Sequence, residues 1–354
     1  MLFGRGIGES VLCNYESDEW IIVDSCYGKS DKERKPAALE YLEENNIPFE
    51  KVKLLVISHF HDDHIKGMLD IVKACQAARI FVPEALSSRE FVTYISSIAD
   101  VNSATAPQQG VSEIFSIFLE ARNSGRDIER TRADISLYFN QQTLTRVSAL
   151  SPSNLECNET LNFFINKVTT LSESSSLELP ADIKDQKLNH HCVTLCISNN
   201  SSSDILLGAD LEISPNIRKG WTALTATQHA PRNTASVFKI SHHGSINGHC
   251  PASWAKLSVS NRKPIGILTP YSRQSLPRAD QIKILQQATS ELYSTSPVKE
   301  YPMPKTDKKL LEEKNVESVS RINLNFGYIE LSEKDCNGGN WYDVKTAGAA
   351  IKLV

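Results

Sequence analysis

The chain has 354 residues, 40% of them apolar and 23% charged, with a formal net charge of −4. That balance supports a sizeable core in one large elaborated α/β domain or two compact ones. It argues against a global basic field drawing nucleic acid or an anionic membrane, although a local basic groove stays compatible with it.

The N-terminal MLFGRGIGES has neither the apolar stretch nor the small-residue cleavage site of a secretory leader. SVLCNY and EWIIVDS read as short strands joined by a polar turn at 16–18. ERKPAALEYLEENNI has helical spacing at Ala38, Leu39, Leu42 and Ile47. VKLLVIS is almost wholly apolar and rich in β-branched residues, as a strand covered on both faces should be. IKGMLDIVKACQAA predicts a helix and RIFVP a strand, so the first part alternates strand and helix in an α/β layered pattern. From about 84 to 140 the pattern changes. REFVTYISSIADV and SEIFSIFLEARNS read as helices with polar linkers, which predicts a helical insertion without a ligand-type cluster.

LTRVSALSPS returns to strand and NETLNFFINKVTTL to helix, and the polar stretch 172–187 predicts a loop. CVTLCIS and DILLGAD form a hairpin-like pair around NNSSS; SVFKIS and PIGILTP are further strands, and ADQIKILQQATSELY a helix. A charged, Pro-broken connector opens a C-terminal extension from about 297, closed by the strand SVSRINLNFGYIEL. No internal repeat stands out, and no run approaches the ~20 apolar residues of a membrane helix. The eight cysteines are scattered without CxxC spacing, which predicts reduced, structural thiols and a cytoplasmic protein. Cys192 and Cys196, four apart on a strand, share a face and are expected in the core.

The densest chemistry is His59-Phe60-His61-Asp62-Asp63-His64, at the end of an apolar strand. His59 and His61 share a face, because side chains two apart on extended chain do so. Asp63 and His64 fall on the following loop. Two imidazoles with an adjacent carboxylate and imidazole can serve two metals side by side; imidazole suits zinc, and carboxylate oxygen also suits manganese. Seven of the nine histidines lie in three clusters, at 59–64, 190–191 and 242–243, each abutting a predicted strand. Strand ends are where α/β folds collect ligands. Asp210, after Gly208 at the end of DILLGAD, offers a carboxylate that can bridge two ions.

Other signals are weaker. His229 and His249 are expected on surface loops, and Lys239 faces either the site or solvent. Arg218, Lys219 and Trp221 line a groove or a solvated face. GRGIGES lacks a GKS/T ending and precedes a strand, so it is read as a close backbone approach rather than a phosphate loop.

HxHxDH after an apolar strand, the later Gly-x-Asp and KISHHGS together resemble the metallo-β-lactamase fold, with IIVDS supplying its opening aspartate, Asp24. GIGESVL, NHHCVTL…LLGAD and FKISHHGS further resemble the C-terminal hydrolase domain of competence-type DNA-uptake channels and its soluble relatives. These landmarks run in order from Gly6 to about Tyr293. The resemblance implies one domain, 1–354, built as a four-layer αββα sandwich with metals at one edge. It implies His59 and His61 on one divalent ion, Asp63 and His64 on a second, and Asp210 bridging both. One of His242 and His243 would complete the second site, and His190 or His191 the first. Asp24 would fix the ligand loop by hydrogen bonds, and Asp62, at the variable position, should tolerate substitution. The DNA-uptake relatives carry His-Pro after the last long strand, whereas here Leu276-Pro277 stands in TPYSRQSLPRAD. Tyr271, Ser272 and Arg273 are therefore candidates for phosphate contact, alongside Lys239 and Ser245.

Two ions about 3.5–4 Å apart can hold a hydroxide and stabilise a phosphodiester transition state, with Asp63 and His61 as catalytic residues. The sequence thus suggests a zinc- or manganese-dependent phosphodiesterase or nuclease, with nucleic acid the leading substrate. The acidic net charge weighs mildly against tight non-specific DNA binding. The alternatives are hydrolysis of a cyclic nucleotide or other small ester, or a partner-dependent effector or regulatory subunit. The helical insertion is the place for a partner surface or a lid. No membrane association is expected.

Overall fold

The computed structural model describes residues 1–30, 34–101, 109–173, 188–199, 203–298, 325–334 and 341–353. Its first half runs β1 (Leu2–Gly4), β2 (Glu9–Glu16), β3 (Glu19–Val23), α1 (Ala37–Glu44), β4 (Val52–Val56), α2 (Asp62–Ile65), α3 (Met68–Ala74), β5 (Arg79–Pro83), α4 (Arg89–Val101), α5 (Gln109–Asn123) and β6 (Ile128–Thr131). The second runs β7 (Ser136–Phe139), β8 (Arg146–Ala149), α6 (Asn154–Glu173), β9 (Leu195–Ser198), β10 (Asp204–Leu207), α7 (Gly220–Leu224), β11 (Ala235–Lys239), α8 (Pro251–Leu257), β12 (Ile265–Leu268), α9 (Ala279–Ala288), β13 (Glu291–Ser294), β14 (Gly327–Lys334), β15 (Trp341–Gly348) and β16 (Ile351–Lys352).

The strands form two mixed eight-stranded sheets, ordered β15-β14-β1-β2-β3-β4-β5-β6 and β16-β13-β12-β11-β10-β9-β8-β7. β4 shows why its apolar run needs cover on both sides. Leu54 and Val56 face the second sheet with Val23, Leu195, Leu207 and Val237, while Val52 and Leu55 face the helices with Leu42, Ile71 and Val72. The first sheet's outer face is covered by α1, α3, α4, α5 and α6 through Leu39, Ile71, Phe91, Ile114 and Phe164. The second is covered by α7, α8 and α9 through Trp221, Trp254 and Leu285. Helices, sheet, sheet, helices: this is the expected αββα sandwich. β3, β4 and β5 are mutually parallel, as are β10, β11, β12 and β13. Their C-terminal ends carry Asp24, His59, Asp210 and His243.

Several local expectations change. The 84–140 stretch is not helical throughout, because β6 adds to β5 in parallel and β7 pairs with β8. Within it, α4 and α5 bury Phe91, Tyr94, Val111, Ile114 and Ile117 against the first sheet. The helix read across ADQIKILQQATSELY stops at Ala288; Glu291–Ser294 turns back as β13 beside β12, sending Leu292 to the helical layer and Tyr293 between the sheets. The C-terminal extension takes part in both sheets, since β14 pairs with β1 and β16 with β13. Residues 174–187 of the expected loop, 299–314 of the connector and 318–324 of the expected closing strand lie outside the described residues. Cys192 and Cys196 pack in the core under α7 and α8. Among the described residues no helix is long and apolar enough to cross a membrane.

Candidate metal centre

The loop after β4 is held at both ends by Asp24. This residue adopts φ 57° at the end of β3, and its backbone N–H donates to the Val56 carbonyl at 2.9 Å. Its carboxylate accepts from the Ser58 N–H (2.7 Å), the Ser58 hydroxyl (2.6 Å) and His64 Nδ1 (2.7 Å). Ser58 also meets His59 Nδ1 at 2.9 Å, which turns His59 Nε2 toward His61 Nδ1, 3.0 Å away. α2 then begins at Asp62 and carries Asp63 and His64.

From the second sheet, Asp210 places Oδ1 3.2 Å from His64 Nε2. His243 Nε2 lies 3.0 Å from Asp63 Oδ2 and 3.9 Å from Asp210 Oδ2. Backbone curvature delivers His243: His242, His243 and Gly244 take φ values of 47°, 53° and 72° in succession. Non-glycine residues there are uncommon and strained, a state that persists where surrounding structure holds it.

Potential ligand atoms within 4.8 Å of one another group as His59, His61 and Asp210; as Glu9, His64, Asp210 and His243; and as Asp24, His59 and His64. Asp210 belongs to the first two, the position from which a carboxylate spans two ions. The donor set suits a divalent cation in two further ways. His64 Nε2 and Asp210 Oδ1 are buried without a hydrogen-bond partner despite facing each other, and buried polar groups normally have partners. The carboxylates of buried Asp210 and half-buried Asp63 also bring negative charge that a cation would neutralise.

The protonation states follow the same logic. Burial, with His64 and His61 nearby, holds His59 well below the ordinary imidazole range, and burial lowers His61 too, leaving both as neutral donors. Burial would also lower His64, but Asp210, Glu9 and Asp24 outweigh it and hold its pKa well above the usual value. Burial works against ionised Asp210, yet His64 and His243 keep it well below the usual carboxylate range. Asp63 is held low in the same way, burial being offset by His243 and His64.

Not every expected residue joins the cluster. His242 instead turns to Glu212 Oε1 at 3.1 Å and Asn189 at 3.3 Å. His190 lies in the turn Leu188–His191, with its side chain outside the described residues, and His191 Nδ1 meets the Thr160 hydroxyl. Lys239 faces inward rather than into solvent, buried against Glu9 of the cluster, and it does not line the cleft that opens beside the cluster. Ser245 is buried and caps the next turn, accepting from Gly248 N–H at 3.2 Å. Asp62 is structurally engaged: its Oδ1 accepts from Gly110 N–H of α5 at 2.7 Å, and Oδ2 pairs with Lys66 at 3.2 Å. His249 is buried against Trp254, ring centroids 4.6 Å apart, rather than on a surface loop. Trp221 is buried and donates to Gly248 O at 3.0 Å; Lys219 pairs with Glu159. In GRGIGES, a Cβ on Gly8 would lie 3.0 Å from Asp63 O, the close approach expected there.

A cleft of about 750 Å³ opens beside the cluster. Asp63 forms part of its wall, with Tyr27, Glu113 and Tyr271, and Arg5, Arg34, Lys66 and Arg273 bring four cationic side chains to it. Tyr271 stacks on His243 at 5.2 Å between centroids. Ser272 does not line this cleft; its N–H donates to Gly6 O at 2.7 Å. Sequence reasoning missed Glu9, Arg5, Arg34 and Lys66. The one available signal for Glu9 was a carboxylate opening a strand of otherwise core-forming residues.

No family model and no curated protein matches the chain. Among solved structures it is similar to MEM-A1, a subclass B3 metallo-β-lactamase isolated from a soil metagenome library, with 12% identity, TM-score 0.34, and 70% of this chain and 80% of that one covered. It is also similar to Rm3 metallo-β-lactamase (12%, 0.33, 81% of each chain) and to hydrolase AbOPH in the β-lactamase superfamily (12%, 0.31, 59% and 58%). At these scores the fold assignment rests on the layer order and strand ends described above.

Proposed function

We propose that the protein is a metal-dependent phosphodiesterase. The observation that carries this reading is the double position of Asp63, 3.0 Å from His243 of the ligand cluster and on the wall of a cleft bearing Arg5, Arg34, Lys66 and Arg273. His59, His61 and Asp210 would hold one ion, and Asp63, His64, Asp210 and His243 the other. When bound, such ions supply Lewis-acid stabilisation of a phosphoryl group and an activated water.

The chain's own residues supply binding and orientation. Guanidinium groups such as those of Arg5 and Arg273 match phosphate oxygens in a fork. Burial and the neighbouring Asp63 push the Tyr271 phenol up, so it stays a proton-bearing donor at the cleft wall. The cleft volume lies in the range of small-molecule pockets. The cleft has room for a small phosphate ester or for the end of a strand.

The test is hydrolysis of single- and double-stranded DNA, RNA, cyclic nucleotides and bis-p-nitrophenyl phosphate with manganese or zinc. Asp63→Ala and His61→Ala should each lower turnover at least ~100-fold. Wild-type protein that binds metal yet cleaves no phosphodiester would sink the substrate class. Variants as active as wild type would sink the assigned residues.

A further inference from the structure

Glu9 reaches the same cluster as His64, Asp210 and His243, and it meets a buried cation there, Lys239. Glu9 opens β2 in the first sheet and Lys239 ends β11 in the second; their side chains are 3% and 1% exposed and form an ion pair between the sheets. Lys239 Nζ also donates to the Ala209 carbonyl at 2.9 Å, and Ala209, next to Asp210, adopts φ 41°. On the other side, Glu9 Oε2 accepts from the Thr269 hydroxyl at 2.7 Å. The Thr269 carbonyl in turn lies 3.0 Å from His243 Nδ1. A carbonyl oxygen only accepts, so Nδ1 carries a proton in that contact, and Nε2 is the nitrogen turned toward Asp63 and Asp210.

An unbroken chain of polar contacts therefore runs from the backbone beside Asp210, through Lys239, Glu9 and Thr269, to His243. Net stability is a poor explanation for it, because removing two charges from water offsets much of their attraction. We infer that the Glu9–Lys239 pair, acting through Thr269 and the Ala209 carbonyl, positions His243 and Asp210 for metal binding. Partners of this kind fix ligand orientation and tautomer, and losing them typically weakens metal affinity about 10–100-fold. The inference rests on the metal-centre reading and is independent of which ester is cleaved.

The experiment titrates Zn2+ into the metal-free full chain by calorimetry and records the thermal midpoint without metal. Glu9→Gln/Lys239→Met removes both charges at similar volume. It should keep or raise the midpoint while weakening Zn2+ binding about 10–100-fold. A double variant that folds like wild type and binds Zn2+ equally well overturns the proposal. If the double variant fails to fold, Thr269 decides. Thr269→Val should weaken binding and Thr269→Ser, which keeps the hydroxyl, should restore it; equal affinity in both overturns the proposal. A wild-type chain that binds no Zn2+ overturns the metal-centre reading itself, an outcome distinct from unaltered binding in the variants.

Discussion

His249 illustrates how one residue's surroundings set its chemistry. It is 7% exposed, packs edge-on against Trp254, and its Nε2 has no hydrogen-bond partner. Burial depresses its pKa below the ordinary imidazole value. A histidine whose folded pKa is lowered stabilises the fold above its unfolded pKa of about 6.5, and that stability is lost as pH falls toward the folded value. Thermal midpoints across this acid range should therefore fall less steeply for His249→Phe than for wild type; parallel slopes would refute the assignment. The same scale explains what the sequence could and could not reveal about the site. His59, His61, Asp63 and His64 were legible because four ligand-type residues crowd one short segment. Glu9 and Thr269 were not, because a lone carboxylate and a lone hydroxyl carry no spacing signal until β2 and β12 face each other. Nor could alternation choose between His242 and His243, since both leave the regular strand in left-handed backbone.

Among the elements, α5 bears most directly on the ligand loop. Gly110 N–H donates to Asp62, and Glu113 accepts from Leu69 N–H at 3.0 Å, so α5 pins the starts of α2 and α3. A Cβ on Gly110 would overlap the Phe60 carbonyl oxygen. Gly110→Ala should push α5 off the loop between His59 and His61, costing about 1–3 kcal/mol. Denaturant unfolding would show it, and an unchanged midpoint would mean that the loop does not depend on α5. The almost wholly apolar run around β4 and the long helix α6 were readable from the sequence. The strands β1, β6, β13 and β16 were not, because two to four residues give no periodicity and their pairing depends on distant partners. The helix expected over 65–78 is only α3, Met68–Ala74, which starts after Gly67 at φ 86°, and Asp63 and His64, expected on a loop, lie on the short helix α2.

Across the whole molecule, net charge and local charge diverge. The chain carries −4 overall, yet at one cleft the four cations Arg5, Arg34, Lys66 and Arg273 outnumber the three carboxylates Asp62, Asp63 and Glu113. Arg5→Ala and Arg273→Ala should raise KM for an anionic ester several-fold with kcat little changed, and should flatten the salt dependence of kcat/KM, as expected for uniform binding. A loss confined to kcat would instead place these groups at the reacting atoms. The two sheets contribute unequal halves of the centre: Asp24 and the His59–His64 segment from the first, Asp210 and His243 from the second. Metal binding should therefore couple to the packing of one sheet on the other. The most direct measurement is the divalent-metal content and affinity of the wild-type chain beside Asp210→Asn, which keeps the side chain's shape and removes its charge. Wild-type protein should carry about two ions per chain, and the variant's affinity should be at least ~100-fold weaker. A wild-type chain that binds none, or a variant that binds as the wild type does, would contradict a two-metal centre bridged by Asp210.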